Sequence, residues 1–316
     1  MKNFADALTN RIKELDNPTV MGLDPKLEYI PIDIVSKWVQ EYPNDNDTST
    51  AEAIYDFNCQ LIDAVCDIIP AVKPQIAYYE MYGLKGIEVF KRTCDYARSK
   101  GMIVIADAKR NDIGSTATAY AEALIGKTQL TDGVVEVKFG ADAVTVNGYL
   151  GIDGVQPFID VCKRDGRGIF TLVRTSNPSA GDLQDLKLED GRTVYQAMAD
   201  NVQAWGKDLI GENGFSSVGA VVGATVPEQA VEARKRMPNA LILVPGYGAQ
   251  GAGPDAAVAS FTAEGTGSIV NASRSLMCAW KKREDLKPKD FAKATREEAN
   301  DMRLKLTLAL KDRKYV

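Results

Sequence analysis

The chain has 316 residues, with 38 Lys+Arg against 43 Asp+Glu for a formal net charge of -5, and it contains no histidine. Without imidazole there is no Ser-His-Asp or Cys-His catalysis, no His-ligated zinc and no His proton shuttle, so acid–base work falls to carboxylates, lysines, tyrosines or cysteines. The negative balance argues against broad binding to nucleic acid or anionic membranes, but leaves room for a local cationic pocket.

The five cysteines (Cys59, Cys66, Cys94, Cys162 and Cys278) are odd in number and form no C-x-x-C pair, which fits reduced thiols better than a disulfide framework. The N-terminus has no apolar signal core, and no apolar run reaches membrane length, so a cytoplasmic protein is expected.

In chain order, Phe4, Leu8, Ile12 and Leu15 fall at helical spacing. Eight short β-branched runs follow: 19-TVMGLD-24, 70-PAVKPQ-75, 102-MIVIADAK-109, 142-DAVTVN-147, 168-GIFTLVRT-175, 217-SVGAVVGA-224, 241-LILVPG-246 and 267-GSIVNASR-274. Helical patterns lie between them. One covers 49–68, where Ser49 and Glu52 could form a capping box, and another covers 83–100, stopping at Gly101. A third covers 227–237 with Pro227 in its first turn. The last covers 295–310 and opens on a possible Thr295–Glu298 box. Strands alternating with helices give parallel β/α units, and eight units predict a single-domain (β/α)8 TIM barrel over 1–316 with extended βα loops. The surplus length falls in connections 30–50 and 177–216. An open doubly wound sheet is the competing architecture.

Several runs end in polar residues: Asp24, Lys73, Asp107, Lys109, Asn147, Arg174 and Arg274. Ligands bind at the carboxyl ends of parallel strands, so these endings together point to a site. The sharpest is 107-DAKRNDIGSTATA-119. Asp107 and Lys109 are two apart on a strand and face the same way. With Asp112 in the loop and Lys73 on the preceding strand, they could form an alternating array of two ammonium and two carboxylate groups, each held by opposite neighbours. Asp24 could accept hydrogen bonds from sugar hydroxyls or cap a helix, and Ser176 could bind a polar ring edge or simply start a loop.

Gly246, Gly248 and Gly251 make a G-x-G-x-x-G in 245-PGYGAQGAG-253. A dinucleotide site needs an acid at the end of the next strand, and that strand ends 271-NASR-274 without one. A phosphate loop fits better: glycines let backbone N–H groups approach an anion, Arg274 adds a planar cation, and the seventh and eighth strand loops of barrels commonly hold phosphate.

On Asp107-x-Lys109-x-x-Asp112 with Lys73, the 245–251 loop and 271-NASR-274, the chain resembles the orotidine 5'-monophosphate decarboxylase family, in its longer bacterial branch, over nearly its whole length. The resemblance implies a homodimeric (β/α)8 enzyme with no cofactor and no metal, converting a small nucleotide to uridine 5'-monophosphate and CO2 in pyrimidine biosynthesis. It implies Lys109 as proton donor to C6 and Asp107 near the substrate carboxylate. Lys73 would complete the charge network, and Asp112 and Thr116 would reach the neighbouring subunit's site. Asp24 would lie on the ribose, Ser176 on the pyrimidine edge, and Gln250, Gly251 and Arg274 at the closing phosphate loop. Some members carry an aromatic residue shortly after the glutamine; here Gly251-Ala252-Gly253 follows.

Three rivals remain. A metal-dependent sugar-phosphate lyase or decarboxylase shares Asp-x-Lys-x-x-Asp but uses an acid where Lys73 stands. A Schiff-base aldolase expects a lysine that 217-SVGAVVGA-224 lacks. A non-catalytic nucleotide-binding protein has no need of carboxylates beside its anion.

Overall fold

The computed structural model describes residues 3–248 and 251–312. Helix α1 (Phe4–Leu15) opens it, and its apolar spacing places Phe4, Ala5 and Leu8 on one buried face. Asn3 caps it: the side-chain oxygen accepts from the amides of Ala5 at 2.8 Å and Asp6 at 3.2 Å.

Strand β1 (Thr19–Leu23) leads through α2 (Ile32–Glu41) and α3 (Asn46–Val65) to β2 (Ala71–Pro74). Helices α4 (Ala77–Glu80) and α5 (Gly83–Ser99) connect to β3 (Ile103–Arg110), which α6 (Gly114–Leu124) follows. A small antiparallel hairpin, β4 (Thr128–Gln129) with β5 (Val135–Glu136), precedes β6 (Ala143–Val146). Then come α7 (Ile152–Asp165), β7 (Gly168–Arg174), α8 (Gly181–Gln184), α9 (Val194–Trp205), β8 (Ser216–Val222), α10 (Pro227–Arg236) and β9 (Ala240–Val244). The chain ends with α11 (Pro254–Ala257), β10 (Ser268–Ala272), α12 (Arg274–Met277) and α13 (Phe291–Lys311). The eight larger strands close into a barrel in the order β1-β2-β3-β6-β7-β8-β9-β10, with β10 pairing back onto β1. All eight pairings are parallel. This is a TIM barrel, as the alternating pattern predicts, and the open-sheet alternative falls.

Two apolar clusters follow from the pleat. The inward one holds Val20, Ala71, Ile105, Ala143, Phe170, Val221, Leu241, Leu243 and Ile269, and α1 closes its base with Phe4, Ala5 and Leu8. The Phe4 and Phe170 rings meet edge to face, centroids 5.8 Å apart. Gly168 is required beneath them, because a Cβ there would stand 2.1 Å from the Phe4 ring. The larger outer cluster lies between strands and helices.

Two predicted helix starts are corrected. Helix α3 begins at Asn46, capped by Asp45, whose carboxylate accepts from the Thr48 amide at 3.0 Å. Ser49 and Glu52 sit inside the helix, and Glu52 pairs with Arg92 across to α5. Helix α13 begins at Phe291, so Thr295 is internal and its hydroxyl donates to the Leu276 carbonyl at 2.9 Å. Ser49 instead donates to the Asn46 carbonyl at 3.1 Å within its own helix, whereas Thr295 is claimed by a contact to α12. The connection 177–216 is not surplus throughout: it contains α9, the crossover helix between β7 and β8, at whose start the Gln196 side chain accepts from the Thr193 amide at 2.8 Å. Connection 30–50 likewise holds α2 and the start of α3.

All five cysteines are free thiols. Burial raises the Cys94 thiol to about 12 and the Cys59 thiol to about 11, so neither ionises at neutral pH. Among the described residues no helix is long and apolar enough to cross a membrane.

Candidate active site

The carboxyl ends of β1, β2, β3 and β6 meet at one side of the barrel mouth. Lys73, on β2, pairs in register with Gly22 of β1, and its ammonium lies 2.6 Å from Oδ2 of Asp107 on β3. The Asp107 Oδ1 accepts from Lys109 Nζ at 2.6 Å and from the Thr145 hydroxyl of β6 at 2.9 Å. The sequence-predicted Lys–Asp–Lys chain therefore forms within one subunit. Its members differ in exposure: the Lys73 and Asp107 side chains are 6% and 9% accessible, whereas Lys109 is 46% accessible and reaches into the mouth.

Burial pushes the Asp107 carboxyl upward, but attraction to Lys73 and Lys109 and the hydrogen bonds from both outweigh it. Its pKa is held well below the usual carboxylate range. Burial works to lower the Lys73 pKa, and the charges of Asp107 and Asp24 reverse that, so the ammonium is retained. Asp107→Asn removes the hydrogen-bonded counter-charge of the buried Lys73 and should lower the unfolding free energy by about 3–5 kcal/mol at pH 7. The Asp107 pKa is depressed in the folded state. Its contribution is therefore complete above the unfolded value of about 4 and declines as pH falls toward the folded one. Urea unfolding at pH 7 and pH 3 should show the gap between parent and variant narrowing at the lower pH. Equal stability at pH 7 would contradict the pairing.

The backbone at Lys109 is unusual. Its φ is +48°, in the left-handed region, and apart from Asp16 it is the only non-glycine residue there among the described residues. The β3–β6 register shifts between Ala106 and Arg110, so Lys109 occupies a bulge. Its amide donates to Thr145 Oγ1 at 3.0 Å.

Asp24, directly after β1, caps no helix. Its Oδ1 is buried with no hydrogen-bond partner among the described residues, which leaves an acceptor for a ligand. Asn271 on β10 is similar: Nδ2 donates to Ser273 at 3.2 Å, while the buried Oδ1 has no partner among the described residues. Asp112 lies apart from the Lys–Asp–Lys chain. Its carboxylate accepts from the neighbouring Ile113 amide at 2.7 Å, and Thr116 is exposed on α6 one turn further on.

Ser176 is half-buried after β7, beside Gly223 of the β8 end, where any Cβ would stand 2.7 Å from Ser176 Cβ. Beyond β9 the loop folds back on itself: the Gly248 amide donates to Ala252 O at 3.0 Å and the Gly251 amide to Gly248 O at 3.1 Å. Gly248 at φ +67° and Gly251 at φ +90° require glycine. Gln250 lies outside the described residues. Arg274 is exposed at the start of α12 and lines, with Gly248, Gly253, Ser275 and Lys282, a cleft of about 650 Å³.

Three polar residues at strand ends acquire structural roles. Arg174 is buried and binds Gln229 at 2.5 Å, Gln184 at 3.1 Å and Asp185 at 3.1 Å, tying down the loop that carries Ser176. Arg110 pairs with Glu80. Asn147 accepts from the Tyr149 amide at 3.0 Å. Sequence reasoning missed Thr145 and the free acceptor of Asn271, both in strand interiors where polar residues give no spacing signal. Among the described residues no three His, Cys, Asp or Glu side chains cluster to hold a metal.

A closed parallel barrel with a Lys–Asp–Lys chain at its mouth, and acceptors there without a partner among the described residues, defines a TIM-barrel enzyme. Residues 22–287 match the model of the orotidine 5'-phosphate decarboxylase / HUMPS family, and the chain belongs to that family. It is 45% identical over 284 residues to an orotidine 5'-phosphate decarboxylase of Rhodopirellula baltica, covering 90% of this chain and 91% of that one. It is 40% identical over 300 residues to one of Clostridium perfringens, covering 95% and 96%. In structure it is similar to the Leishmania donovani OMP decarboxylase, with a TM-score of 0.68, 30% identity and coverage of 96% and 99%.

Proposed function

We propose that this chain decarboxylates orotidine 5'-monophosphate to uridine 5'-monophosphate and CO2, with no metal or cofactor. The observation that carries the reading is the Lys73–Asp107–Lys109 chain, which holds an exposed ammonium by a buried carboxylate at the barrel mouth. The C6–carboxylate bond breaks, CO2 leaves, and the electron pair left at C6 takes a proton from Lys109 Nζ to form C6–H. Solvent then reprotonates the lysine. An ammonium about 4 Å from the developing charge stabilises it by roughly 4 kcal/mol at an effective dielectric of 20. Asp107 fixes the lysine and lies near the departing carboxylate. The buried acceptor of Asp24 suits a ribose hydroxyl, and Ser176 suits the pyrimidine edge. Gln250, Gly251 and Arg274 grip the phosphate, and that remote binding energy orients C6.

The working unit is a homodimer in which Asp112 and Thr116 complete the partner's site. Asp112 has no cationic partner among the described residues, and large apolar side chains are exposed around it: Ile113 at 56%, Tyr149 at 75% and Leu150 at 45%. Asn111 Nδ2 donates to Gly154 O at 3.4 Å, bringing the Asp112 loop against the start of α7 beside that patch.

The test is to add orotidine 5'-monophosphate, with and without chelator, and to follow loss of the orotate absorbance and appearance of uridine 5'-monophosphate. Equal turnover in both arms is expected. No turnover would sink the reading, and turnover abolished by chelator would transfer it to the metal-dependent lyases.

A further inference from the structure

The strand that precedes Lys109 does not deliver it by regular geometry. The β3–β6 ladder is in register at Ala106, resumes at Arg110, and is broken between them. In the break Lys109 takes its left-handed turn, a conformation that costs an L-residue with a long side chain strain unless the surroundings enforce it. The amide of a residue in such a bulge loses its ladder acceptor. Thr145 supplies one from a side chain: Oγ1 accepts from Lys109 N at 3.0 Å. The same hydroxyl spends its proton on Asp107 Oδ1 at 2.9 Å. Thr145 is 1% exposed, so water cannot replace either bond. One hydroxyl therefore fixes both the carboxylate that holds the ammonium and the backbone from which the ammonium projects.

We infer that Thr145 is a positioning residue for Lys109, acting through its hydroxyl and touching no substrate; this rests on the decarboxylation proposed above. Removing the hydroxyl leaves the Lys109 amide without an acceptor and Asp107 with one donor fewer on Oδ1. The bulge then relaxes and the ammonium shifts from C6. A displacement on the order of 1 Å at a reacting group costs roughly 100-fold in rate. The phosphate loop and the Asp24 acceptor are on other strands, so ground-state binding is little affected.

The experiment compares Thr145→Val, which keeps the shape and loses the hydroxyl, with Thr145→Ser, which keeps the hydroxyl. For Thr145→Val, kcat should fall about 100-fold with KM within about 3-fold of the parent. Thr145→Ser should remain within about 3-fold of the parent in both. Thr145→Ala carries the same expectation as Thr145→Val and replaces it if that variant does not fold. Unchanged kcat in the hydroxyl-free variant overturns the inference. So does equal loss in Thr145→Ser, which would assign the effect to the methyl group. An inactive parent protein overturns the reaction itself, and the inference with it, and is recognised before any variant is made.

Discussion

Lys109→Ala is expected to lower kcat on orotidine 5'-monophosphate by at least about 1000-fold, because one deletion removes both the charge facing C6 and the proton that quenches it. The loss should be in kcat, with affinity for uridine 5'-monophosphate within about 3-fold of the parent, since an interaction made mainly in the transition state contributes little to ground-state binding. The fold should survive. Lys109 is 46% accessible, and the buried Lys73–Asp107 pair is left intact by the change. Single-turnover kinetics with a circular-dichroism check separates these effects. A folded Lys109→Ala protein with near-parental turnover would remove Lys109 from the chemistry.

The second large effect is a gain. Lys109→Ala and Asp112→Ala should each be nearly inactive alone, yet mixing them should restore activity. If each site takes Lys109 from one subunit and Asp112 from the other, a mixed dimer contains one site with both residues and one with neither. Random pairing of equal amounts makes half the dimers mixed, so about a quarter of parental activity should return. Mixing needs subunit exchange, which brief dilution or mild denaturant provides. No recovery, with mixed dimers demonstrated by differential tagging, would place Asp112 outside a shared site.

The barrel was legible because its strands are short, β-branched and punctuated at both ends, a pattern that burial on two faces imposes. Lys73, Asp107 and Lys109 were legible because they end such strands, and parallel strands place their ends together. Thr145 was not. It sits inside 142-DAVTVN-147, where a threonine is an ordinary β-former, and its importance comes from a bulge on the neighbouring strand. The left-handed turn at Lys109 was hidden too, since Asp-x-Lys is the spacing of a regular strand and no glycine marks the irregularity. The start of α13 was misplaced because Thr295 is engaged by Leu276 of α12, while in α3 Asp45 provides the cap one turn before Ser49. Local chemistry predicts caps, and in α13 a tertiary contact overrules it. Asp112, which its place in the loop offered to the same array, has no cationic partner among the described residues.

The seal that α1 makes at the base of the barrel determines traffic. With Phe4 packed on Phe170 and Leu8 among the inward residues, the lower barrel is a filled core rather than a pore. A ligand at the strand ends is therefore approached from the mouth, on the side of the glycine loop that follows β9, and not along the barrel axis.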